Sequence, residues 1–225
     1  CISGVPRIPE RAFSFVRALK SKYDVSVFCH YWRYTDSIVS NSWSKRNSTQ
    51  QDRDLLDKAI LDGFFTCIES DDFDEKKREE FDAKFAMVPK HQIWHPNMDN
   101  VCILSLHYSL MHADMLRREY ERDVGMEFDC VFRTRFDGRV PNEFFIENYD
   151  LNKVNIPSKE LDFGGINDRI AFGNSTLMSI YSSVYLDLPN LAINHGYQGE
   201  CILMGHLKKN NVPIARTEPD FPSIL

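Results

Sequence analysis

The opening stretch, residues 1–32, constrains the fold more than any other feature of the chain. CISGVPR (1–7) reads as a short apolar strand that breaks into a Gly/Pro turn. PERAFSFVRALKS (9–21) then begins on Pro9, a residue suited to a first helical position, and sets Ala12, Phe15, Val16 and Leu19 on one helical face. VSVFC (25–29) returns to β-rich composition and runs out at His30, Tyr31 and Trp32. Strand, amphipathic helix and strand in that order predict a β–α–β unit, the mark of a parallel sheet with a crossover helix.

The rest of the chain continues the alternation. Residues 33–50 are polar and aperiodic, a loop. A helix is predicted over about 51–62 and a strand at FFTCIE (64–69). DDFDEKKREEFDAKF (71–85) has the charge of a solvated helix or loop. A long helix over about 100–124 is apolar in its first half, charged in its second, and closed by Gly125. Strands follow at FDCVFRTRFD (128–137), near 153–156 and at RIAFGN (169–174), then a helix from Ser175 to Tyr185, a helix over about 199–209 and a strand at VPIAR (212–216). No repeat or domain boundary interrupts the series, so residues 1–225 are expected to form one α/β domain. With 43% hydrophobic residues the chain has ample material for a core of that size.

A formal charge of −6 argues against wrapping a nucleic-acid backbone. No apolar run is long enough to span a membrane, and no charged-then-apolar leader opens the sequence. The start at Cys1, inside a strand-like run, points to a trimmed N-terminus. The six cysteines form no CxxC and sit in apolar contexts such as VFC and VCI. They are expected to be reduced core thiols in a cytoplasmic-type compartment, with no zinc site.

The most unusual strand is FRTRFDG (132–138). Alternation sets Val131, Arg133, Arg135 and Asp137 on one side and Cys130, Phe132, Thr134 and Phe136 on the other. Buried strands rarely tolerate such charge. It suits either a solvated edge strand with an Arg–Asp pair, or a ligand site beyond the carboxyl end of a central strand. At such an end Asp137 could hold a divalent cation and arginines could neutralise phosphate. In DFGGINDRIAFG (162–173), Gly164 and Gly165 would let backbone approach a ligand, and Asp168 could accept hydrogen bonds from hydroxyls; Asn167 and Asp168 could equally cap a simple turn. No kinase-type Gly-rich loop or HRD motif accompanies the DFG triplet. Glu200 opens an apolar-faced helix, where the helix dipole favours a carboxylate. Among seven histidines His30 stands out at a strand end; the others suit surface or core-edge positions, and His91 and His95 are flanked by prolines that break the helix a metal pair would need.

In order and context, SGVPR, VFCHYW, the long helix leading into FDCVFRTRFDG, GGINDRIAFGNSTLMSIYSSVY and QGECILMGHLKKNNV resemble small nucleotide-sugar glycosyltransferases of the GT-A fold, over nearly the whole chain. The likeness is strongest to glycosyltransferase domains of large DNA viruses of algae (chloroviruses), which build capsid glycans, and extends to bacterial surface-polysaccharide enzymes. It implies a Rossmann-like, mostly parallel sheet flanked by helices, with a nucleotide-binding half over about 1–138 and an acceptor half over about 139–225. It implies a UDP- or GDP-linked sugar as donor, a glycan hydroxyl as acceptor, inversion at the anomeric carbon and, for a viral protein, the host cytoplasm. Ser3, Gly4 and Arg7 would line the nucleotide pocket, with His30 near the base or ribose; Gly165, Asp168 and Arg169 would face the donor sugar, alongside Arg133 and Arg135. Glu200 would be the catalytic base, with Asp168 as rival. Family members hold Mn²⁺ or Mg²⁺ with Asp-x-Asp, but the matching triplet here is Arg135-Phe136-Asp137, which leaves Asp137 as the only carboxylate for the cation and arginines to supply charge directly. A degenerate carbohydrate- or nucleotide-binding domain and a nucleotidyltransferase are the alternatives; the latter would need a Gly/Lys-rich N-terminal signature, and SGVPR has one Gly and one Arg.

Overall fold

The computed structural model describes residues 1–33, 48–88, 100–138, 144–157, 164–196 and 198–217. His91, His95, Arg139 and nearly all of the polar 33–50 segment lie outside these residues. The β–α–β opening is present: β1 (Ile2–Gly4) and β2 (Phe28–Arg33) pair in parallel, with α1 (Glu10–Lys20) between them in the chain. Helix α1 buries Ala12, Phe13, Phe15, Val16 and Leu19. Helix α2 (Gln50–Leu61) begins with a reciprocal cap, in which Asp52 N–H donates to Thr49 Oγ1 and Thr49 N–H to Asp52 Oδ2. It leads to β3 (Cys67–Asp72), parallel to β2.

Both early strands lie about three residues later than their composition suggests. Pairing runs from Phe28↔Cys67 to Arg33↔Asp72. The apolar residues before it are used in packing instead: Phe64 and Phe65 stack on Phe13 at 4.8 and 6.0 Å between ring centres. His30, Tyr31 and Trp32 therefore lie within β2 and not beyond its end.

Helix α3 (Glu75–Phe85), capped by Asp74, is the solvated helix its charge suggests, and it buries Phe81 and Phe85. Helix α4 (Asn100–Val124) ends at Gly125, whose φ of 72° permits its amide to return to Glu121 O. Then follow β4 (Val131–Arg135), β5 (Val154–Pro157), β6 (Ile170–Gly173), α5 (Ser175–Ser182), α6 (Leu188–His195), α7 (Gly199–Lys209) and β7 (Ile214–Thr217). Asn174 caps α5 by accepting from Leu177 N–H. Helix α6 has no counterpart in the sequence-based expectation: it is a two-turn helix with Pro189 in its first turn, and it buries Leu188, Leu191 and Ala192.

The seven strands form one sheet in the order β3-β2-β1-β4-β6-β5-β7. Every pairing is parallel except those of β6 with β4 and β5. Apolar clusters cover both faces. Ile2, Phe13, Val16, Leu56 and Phe136 pack on the α1–α2 side, and Trp32, Leu104, Val131, Met178 and Tyr181 on the α4–α5 side. This is an α/β fold with a mostly parallel central sheet flanked by helices. No helix among the described residues is long and apolar enough to cross a membrane.

Two arginines are almost wholly buried, and the first shows how this core accommodates one. Arg117 on α4 is 1% exposed and fully engaged: it binds Asp114 at 2.7 and 2.9 Å, Glu121 at 2.6 Å, and the hydroxyls of Ser175 and Ser179 at 2.6 Å. Removing one partner of such a buried network leaves uncompensated charge. Arg117→Ala is expected to cost about 3–5 kcal/mol in urea unfolding, since two buried carboxylates lose their counter-ion.

Candidate functional site

Strand order reverses between β1 and β4, because the chain passes from β1 to β2 and β3 on one side and resumes at β4 on the other. In open α/β sheets that reversal opens a crevice at the carboxyl ends of the two strands. Ser3 and Gly4 end β1 there, and parallel register sets Ser3 beside both His30 and Arg135. Gly4 has φ +107° and donates its amide to Ser109 Oγ at 2.8 Å. The loop that follows is strained: Ile8, a β-branched residue, has φ 49°, and its amide is held by Asp52 Oδ1 at 3.1 Å.

Asp137 lies just past the end of β4. Its two carboxylate oxygens accept from Arg135 Nε and Nη2, each at 2.9 Å, and Arg7 Nη2 is 3.9 Å away. Arg11 Nη1 donates to its backbone carbonyl at 3.3 Å. Burial raises its pKa, but Arg135 and Arg7 outweigh that and hold the carboxyl below the ordinary value of 3.8. These surroundings do not fit a divalent cation. A metal at Asp137 would compete with a bidentate guanidinium and face a second one, and Asp137 belongs to no three-ligand cluster among the described residues. The Arg135-Phe136-Asp137 triplet is an ion pair here, flanked by Arg7.

Arg133 is the second buried arginine, 1% exposed, and its surroundings are opposite to those of Arg117. None of its three guanidinium nitrogens has a hydrogen-bond partner among the described residues. Around it lie Tyr181 of α5 and His107 of α4, both fully buried, whose hydroxyl and ring nitrogens are likewise unpartnered, and Asp168. Burial depresses the Arg133 pKa; Tyr181, Asp168 and Asp137 oppose the shift and Arg135 adds to it. Burial also lowers His107 to about 4, with Asp168 opposing. Ser3 Oγ, buried on the same side of the sheet, lacks a partner as well. Native cores leave few such groups unsatisfied. Here His107 and Tyr181 both lie within electrostatic reach of Arg133.

Antiparallel β6 delivers the next segment to this end of the sheet. Thr134 of β4 pairs with Ile170 of β6, so the turn over 164–169 lies beyond the carboxyl end of β4. Asn167 is the turn's cap, its Oδ1 accepting from Arg169 N–H at 2.8 Å and Ile170 N–H at 3.3 Å. Gly165 lies against the first turn of α7: a Cβ there would be 2.2 Å from Glu200 C and O, and Ile166 N–H donates to Glu200 O. A Cβ on Gly199 would be 3.2 Å from Asp168 Oδ2. The glycines thus let the turn approach the Glu200 backbone and let the Asp168 carboxylate approach Gly199, the residue before Glu200. Glu200 is in the first turn of its helix, as the sequence suggests.

In comparisons with known proteins, no family model and no curated protein matches this chain.

The residues named from sequence therefore fall into three groups. Arg7, Arg135 and Asp137 meet as an ion-paired cluster, beside Ser3 and Gly4. Arg133, Gly165, Asp168 and Glu200 meet at the turn, with Arg169 next to Asp168. His30 is the register partner of Ser3 and shares Ser109 with Gly4, while its ring also contacts Asp71 and His112. His107 and Tyr181 went unmarked in the sequence because each occupies an ordinary position in an apolar-faced helix.

His107 gives the site a pH signature. Its folded pKa is depressed, so the unfolded chain binds more protons between about 4 and the ordinary 6.5. Its contribution to stability is complete above 6.5 and is lost as pH falls through that window. His107→Gln is expected to flatten the decline in unfolding free energy between pH 6.5 and 4, measured by urea titration.

Proposed function

We propose that the chain is a glycosyltransferase that moves a sugar from a nucleoside-diphosphate sugar to a hydroxyl of a glycan acceptor. The observation that carries this reading is Arg133, a buried guanidinium without a hydrogen-bonding counter-ion, beside the crevice where an α/β sheet binds ligands. A core that gives Arg117 two carboxylates and two hydroxyls leaves Arg133 none. An anionic ligand supplies what is missing.

Diphosphate is the anion of choice because Arg133 is not alone: Arg7 and Arg135 lie against the Asp137 carboxylate, and Arg11 donates to its backbone carbonyl. In the reaction, the acceptor oxygen forms a bond to the anomeric carbon as the bond from that carbon to the diphosphate oxygen breaks. The electron pair leaves on the diphosphate, where the guanidinium groups offset its charge without reorganising. Glu200 takes the acceptor hydroxyl's proton. Attack opposite the leaving group gives inversion. No step requires a metal at Asp137, whose role in this reading is to hold Arg135.

Incubation with UDP- and GDP-sugars in the presence of EDTA tests the proposal. Release of the nucleoside diphosphate, accelerated by a glycan acceptor, is the expected result. Absence of release from every donor, with or without Mn²⁺, would count against it. One specific observation favours a second reading, a non-catalytic nucleotide- or carbohydrate-binding domain: the first acidic position of the family's metal motif is Arg135, and it occupies Asp137. Such a domain would bind nucleotide and release nothing.

A further inference from the structure

His30 also faces a second set of side chains on the α4 side of the sheet. Ser109 fixes its tautomer. The single Ser109 hydroxyl proton is donated to His30 O at 2.9 Å, so Ser109 Oγ acts as acceptor towards Gly4 N–H at 2.8 Å and His30 Nδ1 at 2.9 Å. Nδ1 must then carry the ring proton, and Nε2 is left with a bare lone pair. That Nε2 is fully buried, has no hydrogen-bond partner among the described residues, and lies 3.5 Å from Asp71 Oδ2. Asp71 Oδ2 is itself an acceptor, taking the Tyr108 hydroxyl at 2.7 Å. Two electron-rich atoms face each other with nothing positive between them.

Three donors converge on the same spot from three elements. His30 of β2, Glu69 of β3 and His112 of α4 each offer a ligand atom within 4.8 Å of the others. His30 and Glu69 are register partners across the parallel pair, which sets their side chains on one face. His112 Nδ1 is 3.5 Å from Glu69 Oε2. Two donors bound to one tetrahedral zinc at about 2.1 Å lie roughly 3.4 Å apart. The 3.5 Å between His112 Nδ1 and Glu69 Oε2 matches that spacing, and His30 offers a ring nitrogen within 4.8 Å of both. A proton between His30 Nε2 and Asp71 Oδ2, 3.5 Å apart, is the competing occupant. Lys77, the nearby cation, is ion-paired to Glu80 at 2.8 Å. Glu69 and His112 are partly exposed, which opens the spot to solvent on the α4 side of the β3 edge.

We propose that His30 Nε2, a ring nitrogen of His112 and the Glu69 carboxylate, with Asp71 beside them, bind one divalent cation of the zinc class. Two imidazoles and a carboxylate select Zn²⁺ or Co²⁺ over Mg²⁺, which prefers an all-oxygen shell. Ser109 is the positioning residue that aims the His30 lone pair. The assignment is independent of the transfer chemistry. It runs against the expectation, drawn from cysteine spacing, that the chain holds no zinc site.

Titration of metal-free protein with Co²⁺, followed by visible absorption, tests it, with Mg²⁺ in excess as competitor. The expected result is one equivalent bound with the spectrum of a nitrogen/oxygen site, unaffected by Mg²⁺. His112→Ala and Glu69→Gln should each weaken binding at least ~10-fold. Both positions are partly exposed, and circular dichroism checks that each variant is folded; the wild-type spectrum decides the donor type without either. Absence of binding, a thiolate-to-cobalt charge-transfer band, or unchanged affinity in both folded variants would overturn the proposal.

Discussion

Replacing Arg133 with Met is expected to make the chain more stable and to disable it. Met fills much of the same volume without a charge. The guanidinium it removes has no hydrogen-bond partner, and burial already depresses its pKa. Exchanging a buried charge for apolar volume is neutral or stabilising by about 1–4 kcal/mol, and the uncompensated state of Arg133 argues for a gain. The attraction of Asp168 and Asp137 for Arg133 subtracts from it. In the same variant the leaving diphosphate loses its most desolvated donor, and loss of one preorganised donor of this kind lowers turnover about 10²–10³-fold. Urea unfolding and a nucleoside-diphosphate release assay on one preparation read both effects. A destabilisation as large as that of Arg117→Ala would show instead that Arg133 is structural.

The second large effect separates Glu200 from Asp168. Glu200→Gln should lower transfer about 10²–10⁴-fold, the usual contribution of a general base, and leave donor affinity unchanged. Asp168 has another task. Its charge acts on Arg133, His107 and Tyr181, and its carboxylate lies against Gly199. Asp168→Asn should therefore raise the KM for donor more than it lowers kcat, because it disturbs the groups that hold the donor. If the two variants exchange these signatures, Asp168 is the base and Glu200 the positioning residue.

Much of this architecture was legible in the sequence. The Pro9 helix start, the run to Gly125 and the turn before Ile170 all rest on local chemistry, namely capping, periodicity and left-handed glycines, and the structure follows them closely. Strand edges were less legible because pairing, not composition, sets them: Phe64 and Phe65 look like strand residues and are spent on Phe13. FRTRFDG is not the solvated edge strand that one reading expected, because β4 is the fourth of seven strands; the Arg–Asp pair of that reading does form at Asp137, while Arg133 is buried with no hydrogen-bond partner among the described residues. What the sequence hid is what the third dimension assembles. His107 and Tyr181 converge on Arg133 from α4 and α5, and His30, Glu69 and His112 converge from three elements spread over more than eighty residues. No short spacing rule reaches across such separations.

In the proposed function, Arg133 binds the phosphates of a nucleotide donor without a metal at Asp137. Isothermal titration of the wild-type chain with UDP, GDP and their sugar conjugates in EDTA tests it most directly. Saturable binding of at least one nucleoside diphosphate is expected, falling sharply in Arg133→Met while Asp137→Asn retains it in part. Binding that appears only with Mn²⁺ and vanishes in Asp137→Asn, or no binding by any nucleotide, would contradict it.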